Sequence, residues 1–260
     1  MTVEVITTLH EDGYNLYGKD FIRTWTLYFP QDWNIVYYAE KHTPEFNKRV
    51  TVLDFDNECP EWADFYYYII ELTKNLDSKK NKKQINKYKK ALRWSFKMYA
   101  LLHALKNSKA RYLLWLDSDV RATTSPRDNW IKSSLKDKCI AGQLEHVKGF
   151  PHVETGLLVI HMHHSHVKKL IHWIEDGYIN KKILNESKPW DGAWMGKLFD
   201  KGYISCNPIR MMHLEKGNKN TAKSMSHETL RWLTHKVGDH KFTNDISGRS
   251  GRTKNSELIK

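Results

Sequence analysis

Cysteine is scarce in this chain. Three residues in 260, Cys59, Cys139 and Cys206, stand far apart and are odd in number. That excludes a disulfide framework and fits a reduced, intracellular protein, with the cytoplasm as the expected compartment. Long apolar runs are also missing. No stretch approaches the roughly 20 residues that a helix needs to span a bilayer. The opening Met1-Thr-Val-Glu-Val-Ile6 lacks the charged and apolar regions of a secretory signal and reads as a first strand. Acidic residues are in deficit, 30 against 42 lysines and arginines, for a formal charge of +12. The partner should therefore be anionic: a nucleotide, a nucleic acid or an acidic surface. There is no internal repeat and no clear linker. One domain over residues 1–245 is expected, followed by a basic, glycine-rich flexible tail at 246–260.

What is present is a globular pattern, with 40% hydrophobic and 12% aromatic residues. Val3–Thr8, Asn34–Glu40 and Val50–Asp54 read as strands. A loop bracketed by Gly13 and Gly18 follows the first. Asp20–Phe29 then reads as a helix with Phe21, Ile22, Trp25 and Tyr28 on one face, ended by Pro30. Trp62–Leu72 is helical. Leu92, Phe96, Tyr99, Ala100 and His103 recur at helical spacing in a strong amphipathic helix, on which Arg93 and Lys97 lie four residues apart. Strands alternating with helices predict an α/β, Rossmann-like fold with a mostly parallel central sheet flanked by helices. In a nucleotide-binding sheet of that kind, Thr7, Thr8 and Glu40 fall at strand ends facing the ligand.

Tyr112-Leu-Leu-Trp-Leu116 is an apolar run of strand length that ends in Asp117-Ser118-Asp119. Such a run suits a strand buried on both faces. Buried carboxylates are costly, so the acids belong where the strand leaves the core. In open α/β sheets, that carboxyl end is where ligands bind. Two oxygen donors there suit a hard divalent cation.

The Asp117-Ser118-Asp119 stretch behind its apolar strand resembles the DxD motif of GT-A glycosyltransferases. Helices worded like Arg93–Lys97 precede that strand in several bacterial and phage members. His152-Val-Glu154-Thr155-Gly156 is similar to the segment that brings a polar side chain to the sugar and acceptor. Pro189-Trp-Asp191 through Gly202-Tyr203 resembles the acidic segment of inverting members, with Asp191, Lys197, Leu198, Gly202 and Tyr203 at matching intervals and Trp190 in place of the first acid. His213-Leu-Glu-Lys216-Gly-Asn-Lys219 resembles the closing segment of retaining members. The last two pull toward opposite stereochemical outcomes, and both stay open.

These resemblances imply a metal-dependent transferase that takes a sugar from a nucleotide-diphosphate donor. Asp119 and His213 would hold Mn²⁺ or Mg²⁺, with Asp117 contacting the metal through water or the donor's ribose. Ser118, Arg93, Lys97, Lys216 and Lys219 would serve the nucleotide and its diphosphate. Asp191 would be the general base, with Glu154 beside sugar and acceptor. Lysines crowd Lys74–Lys90, a patch suited to a phosphate backbone. A hydroxymethylated pyrimidine in duplex DNA is the acceptor this implies, inside a bacterium or a phage-infected host. Two other classes keep the same residues: a non-enzymatic nucleic-acid-binding protein, and a nucleotidyltransferase that releases pyrophosphate. His161, His163, His164, His166 and His172 cluster without an acid or cysteine at ligand spacing, which favours surface histidines over zinc. Ser226–Val237 reads as a last amphipathic helix.

Overall fold

The computed structural model describes residues 2–147, 150–208 and 233–235. The chain begins with β1 (Val3–His10), a short helix α1 (Glu11–Gly13), a π-helical turn over Tyr14–Gly18, and α2 (Lys19–Tyr28). β2 (Trp33–Glu40), β3 (Val50–Asp54), α3 (Phe55–Glu58), α4 (Glu61–Lys74) and α5 (Lys82–Asn107) follow. Next come β4 (Tyr112–Leu116), β5 (Val120–Ala122), α6 (Trp130–Leu135), β6 (Ile140–Val147) and β7 (Phe150–His161). The described chain closes with α7 (Val167–Tyr178), α8 (Asp191–Asp200), β8 (Cys206–Pro208) and β9 (Leu233–His235).

Seven strands form one sheet in the order β3-β2-β1-β4-β7-β6-β8. β3, β2, β1 and β4 run parallel, and so do β6 and β8. β7 is antiparallel to both β4 and β6, so the sheet is mixed around its parallel half. The chain leaves β1 toward β2 and β3, then returns to β1's other side with β4. That reversal makes the carboxyl ends of β1 and β4 a topological switch point, the position where such sheets take ligands.

The sheet is covered on both faces. Ile6, Val36, Tyr38, Leu113, Trp115, Leu158 and Ile160 belong to one apolar cluster with α4, α5, α7 and α8. Val5, Ile35, Tyr37, Leu114, Leu116, Leu157 and Val159 belong to the other, with α2 and α6. Neighbouring residues of each strand go to opposite clusters, as the two-residue period requires. This is why β4 is apolar at every position and buried throughout.

Several expectations are corrected. Gly13 and Gly18 do not bracket a loop but lie in continuous helical backbone. A Cβ at either would sit 2.5 Å or 2.3 Å from a Leu9 side-chain carbon, so these glycines serve close packing. Tyr28 ends α2 on its outer side, 36% exposed, while Phe21, Ile22 and Trp25 are buried. Most of the lysine run winds into the first turns of α5. The strand expected over 203–207 is confined to β8. Residues 233–235 are not helical but form β9, antiparallel to β5; the rest of the helix expected at 226–237, and the tail at 246–260, lie outside the described residues.

Candidate active site

α5 crosses the sheet so that Lys97 reaches the end of β4. The residue is 6% exposed. The ammonium lies 2.8 Å from Asp117 Oδ1 and 3.1 Å from Asp191 Oδ2, and it donates to Thr155 Oγ1 at 3.0 Å. Thr155 in turn donates a short hydrogen bond to Asp191. The Trp115 indole N–H donates to Asp117 Oδ1 at 2.8 Å. One cation thus holds two carboxylates from distant parts of the chain. Removing one partner of so buried an arrangement costs about 3–5 kcal/mol, so its geometry is fixed by the groups that must stay paired.

Each participant is delivered by local structure. Trp115 and Asp117 are two residues apart, so both lean toward α5. Asp117 N donates to Gly156 O at 2.9 Å, tying the end of β4 to β7. There the register of β6 jumps from Gly142↔Leu158 to Gln143↔Glu154. β6 therefore skips Thr155, Gly156 and Leu157, and this bulge carries Thr155 into the cluster. Asp191 is the first residue of α8, whose N-cap Trp190 makes no side-chain capping bond. The Asp191 carboxylate turns instead to Lys97 and Thr155, still near the free N–H groups of the helix start. α8 lies close on β7: a Cβ at Gly192 would come within 2.6 Å of Val153 O, and one at Gly196 within 2.3 Å of Pro151 O.

Around this cluster, Asp119 is 5% exposed and Ser118 is buried. Tyr17, from the π turn, hydrogen-bonds the Ser118 side chain. Burial first, and then the charges of Asp119, Asp117 and Glu40, drive its phenol well above the usual range. Tyr17 had no signal in the sequence; its partners lie about a hundred positions away. Thr8 Oγ1 lies 2.7 Å from Glu40 Oε1 and 2.9 Å from Tyr38 O. Burial pushes the Glu40 carboxyl up to about 8. Arg93 is exposed at the rim, and its charge joins burial and His42 in lowering the His10 imidazole, against the raising pull of Asp12.

The structure therefore unites Lys97, Asp117, Thr155 and Asp191, with Ser118, Asp119 and Glu40 grouped about Tyr17. Thr7 faces the opposite side of the sheet from Thr8, with its hydroxyl buried and unpartnered among the described residues. The Glu154 side chain and all of His213, Lys216 and Lys219 lie outside the described residues. Lys197 pairs with Glu186 on the outer side of α8. His164 and His166 turn ring nitrogens to Ser205, the latter accepting from its N–H at 3.0 Å.

The donor chemistry fits a hard cation in part. Asp117 and Asp119 supply oxygens at the sheet's rim, but Lys97 already neutralises Asp117. No group of three or more His, Cys, Asp or Glu able to hold a metal forms among the described residues. Completion requires oxygens brought by a ligand or donors from outside the described residues.

No protein-family model matches the chain, and no curated protein does. Solved structures match at low identity. Mouse xyloside xylosyltransferase 1 aligns with a TM-score of 0.52 at 9% identity, over 82% of this chain and 89% of its own. The galactosyltransferase LgtC, solved with donor and acceptor sugar analogues, aligns at 0.53 and 11%, over 90% and 87%. The bifunctional glycosyltransferase WbbM aligns at 0.52 and 12%, over 85% of this chain and 41% of its own. The fold of this protein is accordingly GT-A-like. Among the described residues, no helix is long and apolar enough to cross a membrane.

Proposed function

We propose that the protein transfers a sugar from a nucleotide-diphosphate donor to an acceptor hydroxyl. The observation that carries this reading is the Lys97-bridged pair of Asp117 and Asp191 at the carboxyl end of β4, in a GT-A-like sheet. Asp191 accepts the acceptor's proton as the acceptor oxygen bonds to the sugar's anomeric carbon and the bond to the diphosphate breaks. Lys97 and Thr155 hold the Asp191 carboxylate in place. Thr8, Glu40, Arg93 and Ser118 serve the donor nucleotide, Lys216 and Lys219 its diphosphate, and Glu154 the sugar; Thr7, on the other side of the sheet, is left out of that set.

A donor diphosphate is anionic and would sit beside the Asp117 and Asp119 carboxylates, and a bound cation would offset that repulsion. Asp119 and His213, with Asp117 through water, would hold Mn²⁺ or Mg²⁺, which supplies Lewis-acid stabilisation of the leaving diphosphate when bound. The basic start of α5 favours an anionic acceptor, with a hydroxymethylated pyrimidine in DNA as the case considered.

The test is release of nucleoside diphosphate from a panel of nucleotide sugars with Mn²⁺. Asp191→Asn should slow transfer by about 10²–10⁴-fold and keep the metal-dependent thermal shift on adding nucleotide. Asp119→Ala should lose both. Full activity in either variant removes that residue's role. Release of pyrophosphate instead would make the protein a nucleotidyltransferase, and absence of any turnover with nucleic-acid binding intact would make it a binding protein.

A further inference from the structure

A cavity of about 680 Å³ lies between the first turns of α5 and the segment that leads into α8. Lys80, Lys83, Lys87, Lys90, Tyr88 and Trp190 are among the residues that line it, and no carboxylate does. None of those four lysines has an ion-pair partner among the described residues. Like charges gathered around a concave surface repel one another, and an anion relieves that cost. The half-buried Trp190 indole has the Lys90 and Lys188 ammonium groups 5.7 Å and 5.9 Å from its centroid. A flat, electron-rich platform thus stands amid a cationic wall.

The cavity points at the candidate active site. Trp190 directly precedes Asp191. On α5, Lys83, Lys87, Lys90, Trp94 and Lys97 follow at alternating spacings of four and three, which place them along one face. The 14 residues from Lys83 to Lys97 rise about 21 Å. Lys97 ends the row, 5.5 Å from the Trp94 ring centroid and in contact with Asp191. A row of cations with interposed aromatic faces, leading to a general base, matches the chemistry of a strand with regular anionic links and exposed rings.

We infer that this cavity binds a single-stranded nucleic acid and feeds its hydroxyl group toward Asp191. Phosphodiesters lie along Lys83, Lys87 and Lys90, and a base stacks on Trp190. A duplex hides its rings in the helix stack and offers Trp190 no face. The ligand class rests on the cavity alone; its role as acceptor rests on the transfer reading.

The experiment is fluorescence anisotropy with a labelled 15-nucleotide single strand, its duplex, and inorganic polyphosphate as a ringless polyanion. The native protein should bind the single strand in preference to both. The log–log salt slope should be about −2 for three phosphate contacts, a loss of roughly twenty-fold between 50 and 200 mM salt. Lys83→Glu with Lys87→Glu should weaken binding at least tenfold. Trp190→Leu should remove the preference over polyphosphate. The same charge change on the exposed Lys168 and Lys169 of α7, Lys168→Glu with Lys169→Glu, controls for overall charge. Equal losses in that control, equal binding of polyphosphate, preference for the duplex or no binding each overturn the inference. Donor hydrolysis by the native protein without oligonucleotide is measured apart. Its absence alongside specific strand binding defeats the transfer reading and leaves this site standing.

Discussion

Glu40 ends β2 with its carboxyl buried, where an ionised acid is poorly solvated. In the folded chain it titrates near 8; its ordinary value is 4.5. The folded state therefore holds a proton that the unfolded state has released between those values. Stability is greatest below about pH 4.5 for this group, falls as pH rises toward 8, and is flat above that. The slope cannot exceed roughly 1.4 kcal/mol per pH unit. Glu40→Gln keeps an acceptor for Thr8 without the titration. Its melting temperature relative to the native protein should rise from pH 5 to pH 8, and an unchanged difference would show that Glu40 does not titrate there. At this scale the sequence was most informative where chemistry breaks a pattern. Asp117 stood out because an acid ends a run of buried residues. Tyr17 did not, since an aromatic near a strand end is ordinary until its distant partners are known. Thr155 was legible only through a likeness in wording.

Elements were easier to read than their contacts. β4 and α8 fall close to where periodicity and capping put them, α5 starts at Lys82, well before the Leu92 that opens its expected apolar spacing, and Gly202 follows α8 at φ +64°, the left-handed conformation expected after a helix. What periodicity could not give was which helix approaches which strand. Gly192 and Gly196, four apart on α8, allow its backbone to rest on β7, and this brings Asp191 to Thr155. Helix propensity alone makes Gly196→Ala favourable by about 1 kcal/mol. The added carbon would meet carbonyl and amide atoms of Pro151 and His152 at 2.3–2.8 Å, which flexible side chains cannot relieve. Overpacking of that kind costs about 1–3 kcal/mol. The net outcome expected in urea unfolding is loss of stability, with a fall in any Asp191-dependent activity. A more stable Gly196→Ala protein would mean that α8 is not seated against β7 in this way.

For the whole molecule, the charge of +12 opposes compaction. Raising salt from 20 to 200 mM should screen that repulsion and lift the melting temperature by a few degrees, since about 1 kcal/mol corresponds to 2–4 °C in a chain near this size. A flat or falling response would show that paired surface charges dominate. The architecture was legible because alternating buried strands and amphipathic helices leave few alternatives, and it stands alongside solved structures at only 9–12% identity. The antiparallel insertion of β7 was not legible, because its apolar residues suit either direction. The same topology sets an order of events in folding. β1 lies in the middle of the sheet, yet it is completed on one side by β4; the Arg111 amide bonds Thr2 across 109 positions. Closing so long a loop comes before any reward from pairing, which slows folding. On the ribosome, β1 must wait for more than a hundred later residues before its second neighbour, β4, exists. During that interval β1 stays open along one edge, able to pair with other nascent chains.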